Sequence, residues 1–221
     1  RRPPRSTLFP YTTLFRSKRF GGIAAVSDVS FDLVAGEVTA LIGPNGAGKT
    51  TLINLVTGVL ACDGGTISLE GEDITARPTH QRGTAGIART YQTPQIAHGM
   101  SVLTNVMAGA YRFGQHGLLS SVFRPWVVMK ENDEMAARAA QCLTRAGVAE
   151  QWWQRLATDL PYGLQRRVEI ARSLAQDPKL LLLDEPAAGL NPSETADLSR
   201  LLSEDRKSTR LNSSHQLISY A

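Results

Sequence analysis

Only two of the 221 residues are cysteine, Cys62 and Cys142, and they stand in no metal-ligand spacing. A disulfide-built fold and a thiolate metal centre are thereby excluded, and two reduced, partly buried thiols in a cytosolic protein are expected. No apolar stretch approaches the roughly 18–20 uncharged residues of a membrane-spanning helix, so any membrane association has to run through a partner. Internal repeats are also missing, which excludes a solenoid or a blade array. What remains is long enough for one substantial core, or one core and a small subdomain.

A strong charge of one sign is lacking once the ends are set aside. Thr7-Leu8-Phe9-Pro10-Tyr11-Thr12-Thr13-Leu14-Phe15-Arg16-Ser17 resembles an in-frame translation of a common short-read sequencing adapter. Residues 205–215 resemble the partner adapter, and Ile218-Ser219-Tyr220-Ala221 its continuation. Residues 1–17 and 205–221 are therefore expected to be scars without fold information, and 18–204 a gene fragment. The whole chain carries 24 Lys+Arg against 20 Asp+Glu, but seven of the bases and one of the acids lie in those ends. The remainder has 17 bases and 19 acids, a net charge of −2. The nucleic-acid or anionic-membrane partner that a high pI would imply loses its support, and no nucleic acid is expected to bind.

The informative stretch is Gly43-Pro44-Asn45-Gly46-Ala47-Gly48-Lys49-Thr50, a complete G-x-x-x-x-G-K-[ST] loop. Glycines let successive backbone N–H groups turn inward around phosphate oxygens, Lys49 reaches the β and γ phosphates, and Thr50 offers its hydroxyl to Mg²⁺. The context fits: 38–42 is a short apolar, partly β-branched run that reads as a strand, and 49–55 reads as the helix that follows, its N-terminus facing the phosphates. Upstream, 29–34 alternates as a half-buried strand, and Phe20 is the candidate flat apolar partner for an adenine ring.

Downstream, the turn Asp63-Gly64-Gly65, a strand at 66–69, a polar helix from near Pro78 and a strand at 87–91 predict a small antiparallel sheet beside the nucleotide core. Gln92 ends that last strand, where a neutral amide can orient water or ligate a metal. From 93 to about 159 the pattern turns helical: Ser101 caps a helix to about Tyr111, 131–145 forms a second, and a short third holds Trp152 and Trp153. Between the first two, 112–126 is expected to fold onto its own helices, with a protein-docking surface as the second reading. Leu160-Pro161-Tyr162-Gly163-Leu164-Gln165 opens another helix, Pro161 suiting its first turn and Val168, Ala171, Leu174 and Ala175 marking one face.

Leu180 to Leu183 is a four-leucine run bounded by Pro178 and Pro186, too short for a helix and suited to a buried parallel strand. It ends in Asp184-Glu185, two carboxylates at the carboxyl end of a strand, where open α/β sheets present their ligands. Asp184 is expected to hold the Mg²⁺ hydration shell, and Glu185 to take a proton from the water attacking the γ phosphate.

In order and spacing these motifs resemble the ATP-binding subunit of an ABC transporter over essentially all of 18–204. Residues 43–51 match its phosphate loop, including the second threonine, Thr51. Gln92 matches the Q-loop, 160–165 the signature stretch, 180–186 the Walker B strand with its catalytic glutamate, and 188–191 the D-loop, ending at Asn191. Arg19-Phe20-Gly21-Gly22, Arg89-Thr90-Tyr91-Gln92, the Tyr-Gly-x-Gln-Arg-Arg string and Ala187-Ala188-Gly189-Leu190-Asn191-Pro192 look like the ATPase of branched-chain amino acid importers, a group shared with urea and amide importers.

The resemblance implies an α/β P-loop NTPase core (18–92 and 160–204) with a small antiparallel β subdomain and an inserted helical subdomain (about 93–159). It also implies ATP and Mg²⁺, and a dimer in which each ATP lies between one subunit's phosphate loop and the other's signature helix. Two membrane permease subunits would dock at 112–126 and the Gln92 segment, an extracytoplasmic solute-binding protein would act indirectly, and the chain would sit on the cytoplasmic face of the membrane.

Some residues depart from the family pattern. Pro161 stands where the signature has serine and Leu164 where it has Gln or Glu, so contacts to the partner's phosphate are expected to rest on backbone N–H groups near Gly163. Asn191 replaces the D-loop acid. The family's switch histidine should follow one more strand beyond Glu204, and His215, inside the adapter-like segment, is no substitute. The strand before Phe20 is expected to be largely lost, and turnover by this chain to be slow. An exporter ATPase, a soluble non-transport ABC protein and an inactive truncated product are the alternatives.

Overall fold

In the computed structural model, residues 11–21, 23–111, 125–190, 195–197, 200 and 216–220 are described. The chain divides into two compact units, one comprising Arg1–Ile87, Lys179–Asp184 and Arg206–Ala221, the other Ala88–Pro178 and Glu185–Asp205.

The first unit is built around strand β3 (Val38–Ala40) and helix α1 (Lys49–Thr57), the strand and helix that the loop motif requires on its two sides. Helix α1 is bounded by Gly48 and Gly58, both left-handed. It buries Leu52, Ile53, Leu55 and Val56. Ile53 and Val56 join Leu33, Ile67, Leu69, Ile74, Ile87, Leu180 and Leu182 in one apolar cluster. Each such side chain contributes about 1.5–3 kcal/mol on burial, so the unit is held mainly by this cluster. Leu52 and Leu55 face a second group with Val26, against which Cys62 packs.

Strand β1 (Tyr11–Phe20) pairs antiparallel with β2 (Ile23–Val34), from Tyr11↔Val34 to Phe20↔Ile23. This corrects the expectation that the strand before Phe20 is largely lost: Tyr11–Phe20 forms one, and the adapter-like residues 11–17 lie in it. The run Tyr-Thr-Thr-Leu-Phe is rich in β-branched and aromatic residues and suits a pleated surface. The register breaks around Ser17, which pairs instead with Gly64. Strands β4 (Ser68–Leu69) and β5 (Glu72–Asp73) form the expected small antiparallel pair, and α2 (Thr79–Ala85) follows. Arg82 of α2 is buried and donates to Leu55 O (2.6 Å), Val56 O (2.9 Å), Thr75 O (2.7 Å) and Arg77 O (2.8 Å). It thereby satisfies carbonyls of the last turn of α1 with a cation, the sign that a helix C-terminus favours.

The central sheet has the order β3-β8-β7-β6, with β6 at Ile87–Arg89, β7 at Leu180–Asp184 and β8 at Gln216–Tyr220. Strand β7 is buried along its whole length, as the leucine run predicts. Strand β8 lies inside the adapter-like segment. It runs parallel between β3 and β7, pairing Ser219 with both Ala40 and Leu183. The physical reason is that two facing strand edges leave backbone N–H and C=O groups that require partners. His215 and Asn191 lie outside the described residues.

In the second unit, α3 (Val102–Ala110), α4 (Pro125–Arg145) and α5 (Tyr162–Ala175) pack pairwise, with short 3-10 turns at Glu150–Trp152 and Ala157–Asp159. Ser101 caps α3 as expected, accepting from Thr104 N at 3.2 Å. Helix α4 starts at Pro125 instead of 131, with proline at a first helical position where its missing N–H is harmless. Gly109 lets α3 close on α5: a Cβ there would lie 2.2 Å from Arg172 O. The docking stretch 112–126 is almost entirely outside the described residues. No helix among the described residues is long and apolar enough to cross a membrane.

Candidate functional site

The loop from Gly43 to Thr51 links β3 to α1 in the first unit. Pro44, Asn45, Gly46 and Ala47 are exposed, as is Thr50, while Thr51 is half-buried. Lys49 is buried, its Nζ donating to Gly43 O (2.5 Å) and Pro44 O (3.1 Å), so the ammonium sits inside the curve of the loop. Ala47 N bonds Pro44 O at 3.1 Å and closes the turn. An ammonium encircled by backbone at a helix N-terminus suits a polyphosphate.

Asp184 ends β7, is buried, and lies on the same edge of the sheet as the loop: Ala40 and Leu183 are level through Ser219, two strand spacings or about 10 Å apart. The Thr50 hydroxyl and the Asp184 carboxylate are hard oxygen donors of the kind Mg²⁺ takes, usually with several waters retained. These residues fit the ion. Among the described residues no group of three or more His, Cys, Asp or Glu side chains is placed to hold a metal ion.

Gly48 has φ +84°, and a Cβ there would meet Ala25 O at 2.2 Å. Gly48→Ala therefore loses about 1–2 kcal/mol to the left-handed backbone alone, and more to displacement of β2. A lower melting temperature together with weakened nucleotide binding is the expected result, read by thermal melts and a fluorescent-nucleotide titration. Phe20 is exposed at the end of β1, where the Lys18 ammonium lies 5.6 Å from its ring. Lys18 Nζ reaches Asp63 Oδ1 at 2.6 Å and Arg19 N reaches Asp63 Oδ2 at 2.8 Å, bonds that hold the Asp63 carboxyl below its ordinary value.

In the second unit, Gln92 Nε2 donates to Glu185 Oε2 at 2.9 Å. Gln92 does not end its strand as expected: β6 stops at Arg89, because the N–H of Tyr91 goes to Glu169 Oε1 (3.1 Å) and its carbonyl to Arg166 Nη1. Gln95 N also reaches Glu169 Oε1, at 3.4 Å, and the buried amide of Asn105 bonds Ala97 through both its N–H and C=O. The exposed Gln92 is thus carried between anchored backbone. Glu185 has φ +45°, a conformation costing about 1–3 kcal/mol for a residue other than glycine and concentrated at functional sites.

The signature residues open α5. Pro161 is the N-cap, one position outside the first turn predicted for it, and supplies no side-chain cap. Gly163 is buried and Leu164 half-buried, while Gln165 Nε2 turns back to Leu160 O (2.8 Å) and Thr158 O (3.2 Å). Tyr162 Oη donates to Gln92 O at 3.4 Å.

Sequence reasoning missed the pair Arg166–Glu169, both buried and 2.7 Å apart. Burial pushes the Glu169 carboxyl above its ordinary value, against the pull of the Tyr91 N–H and the Arg166 charge. With the folded-state value the higher one, this group's contribution to stability is complete below about pH 4.3 and is lost as pH rises through the raised value. The melting-temperature difference between wild type and Glu169→Gln should therefore shrink on raising the pH from about 4. A difference that grows would contradict the assignment.

Residues 26–188 match the family model for the ABC transporter domain. The chain belongs to the ABC transporter family. This ABC domain is 42% identical over 188 residues to the high-affinity branched-chain amino acid transport ATP-binding protein LivG of Salmonella typhimurium, covering 85% of the chain and 73% of the relative. It is 39% identical over the same length and shares to BraF of Pseudomonas aeruginosa, which bears the same description. Among solved structures, the ADP conformation of an ATP-binding cassette of an ABC transporter superposes with a TM-score of 0.78 at 34% identity, covering 97% of this chain and 82% of that one. The α/β P-loop NTPase class expected from the sequence is thus the fold of this ABC domain.

Proposed function

We propose that this chain is the ATP-hydrolysing subunit that energises an importer of branched-chain amino acids or related small amides. The observation that carries the reading is the joint presence of a phosphate loop closed around Lys49 and a buried strand ending in Asp184, with Glu185 next in the chain, in a chain 42% identical to a branched-chain amino acid transport ATP-binding protein. ATP is the substrate. Backbone N–H groups of 43–48 bind its phosphates, Lys49 neutralises the β and γ oxygens, and Thr51 supports the loop. Phe20 offers a face for the adenine. Glu185 takes the proton of the attacking water, and Gln92, hydrogen-bonded to it, orients that water. Thr50, Asp184 and Gln92 would hold Mg²⁺, which would supply charge neutralisation for the phosphoryl group.

The N-terminus of α5, with Pro161, Tyr162, Gly163, Leu164 and Gln165, serves a second ATPase subunit, identical or related, by presenting backbone N–H groups and helix dipole to that partner's nucleotide. Asn191 contributes hydrogen bonds to the same interface. Two permease subunits in the cytoplasmic membrane complete the transporter, fed by an extracytoplasmic solute-binding protein, and the chain is cytoplasmic and peripheral.

The test is reconstitution of the chain with the permease pair of a branched-chain amino acid importer. ATP-dependent uptake of leucine, isoleucine or valine, with permease-stimulated ATP hydrolysis, is expected. Hydrolysis indifferent to the permeases, or uptake that continues without this chain, would contradict the reading.

A further inference from the structure

Arg166 and Glu169 belong to neither the phosphate loop nor the acid pair, yet together they hold the backbone of both the Gln92 segment and the Glu185 turn. Arg166 Nη2 donates to Glu185 O at 3.1 Å, Nε to Pro186 O at 3.3 Å, and Nη1 to Tyr91 O and to Glu169 Oε2 (2.7 Å). Glu169 accepts the N–H groups of Tyr91 and Gln95, on either side of Gln92. The strained residue in this network is Glu185, and a left-handed conformation at a non-glycine persists only where its surroundings over-determine it. The carbonyls of Glu185 and of the next residue are two of the three that Arg166 grips, the third being that of Tyr91. The planar guanidinium spans these acceptors in one fixed geometry, which an ammonium cannot reproduce. A buried ion pair is weak evidence for stability, since apolar residues of similar volume often replace one at no loss.

We propose that Arg166, oriented by Glu169, is a positioning residue that locks Glu185 in its left-handed backbone conformation and pins the segment carrying Gln92, so that base and amide are held in register. This rests on the reading of Glu185 as the general base.

The test compares the full chain with Arg166→Lys and with the double variant Arg166→Met/Glu169→Leu, with Glu185→Gln as control. Melting temperature, KM and kcat for ATP, and amide exchange at Tyr91 and Gln95 are measured on each. The double variant is expected to melt near wild type and keep KM for ATP within about twofold. Its kcat should fall at least about tenfold, within the range set by a misplaced general base, with faster exchange at Tyr91 and Gln95. Arg166→Lys keeps the charge and should also lose kcat, which keeps the test valid if the double variant fails to fold. A double or Lys variant with wild-type kcat and unchanged exchange at those amides overturns the proposal. If Glu185→Gln turns over ATP like wild type, the reading of Glu185 as the general base fails; faster exchange at Tyr91 and Gln95 would still support the clamp.

Discussion

Replacement of Lys49 by alanine removes nucleotide binding. Its ammonium lies inside the loop, 2.5 Å from Gly43 O and 3.1 Å from Pro44 O. Two charge-assisted hydrogen bonds to phosphate oxygens, at about 1.5–3 kcal/mol each, correspond to a loss of about 10²–10⁴-fold in affinity. Lys49 is also buried, so a smaller cost in stability accompanies the change. Titration with a fluorescent ATP analogue reads the affinity, and a variant that binds within a few fold of wild type would remove Lys49 from the site.

Glu185→Gln acts on the other half of the chemistry. The substitution keeps the volume and the hydrogen-bonding capacity toward Gln92 Nε2, 2.9 Å from Oε2 in the parent, through the amide oxygen. It removes the capacity to accept a proton from water. A general base is worth about 10²–10⁴ in rate, so turnover falls by that factor while ATP affinity is preserved or raised. The two substitutions separate: one variant does not bind, the other binds and does not hydrolyse.

What was legible in the sequence was chemistry fixed by residue type at fixed spacing. The loop around Lys49, the strand ending at Asp184 and the Ser101 cap could be read because each needs particular residues and tolerates few others. The Arg166–Glu169 pair was not legible, because opposite charges three apart on a helix usually mark a solvated face. Only the tertiary neighbours of α5, which is buried nearly all round, show that this pair is enclosed. Arg82 was hidden in the same way, a cation in a polar helix whose partners lie 26 and 27 residues away on α1. The start of α4 was misread because the acids from Glu131 onward looked like a helix opening, when Pro125 was the stronger signal. Strands β1 and β8 were set aside on the origin of their residues, a consideration on which backbone pairing does not depend.

The most direct test identifies the nucleotide that remains bound after a single exposure to ATP and Mg²⁺. Wild type and Glu185→Gln would be incubated with limiting ATP, separated from free nucleotide and denatured, and the released nucleotide resolved by chromatography. ADP from wild type and intact ATP from Glu185→Gln is the expected result, and it holds even where turnover is slow. ADP in equal amounts from both proteins, or nucleotide from neither, would contradict hydrolysis at this loop with Glu185 as its base.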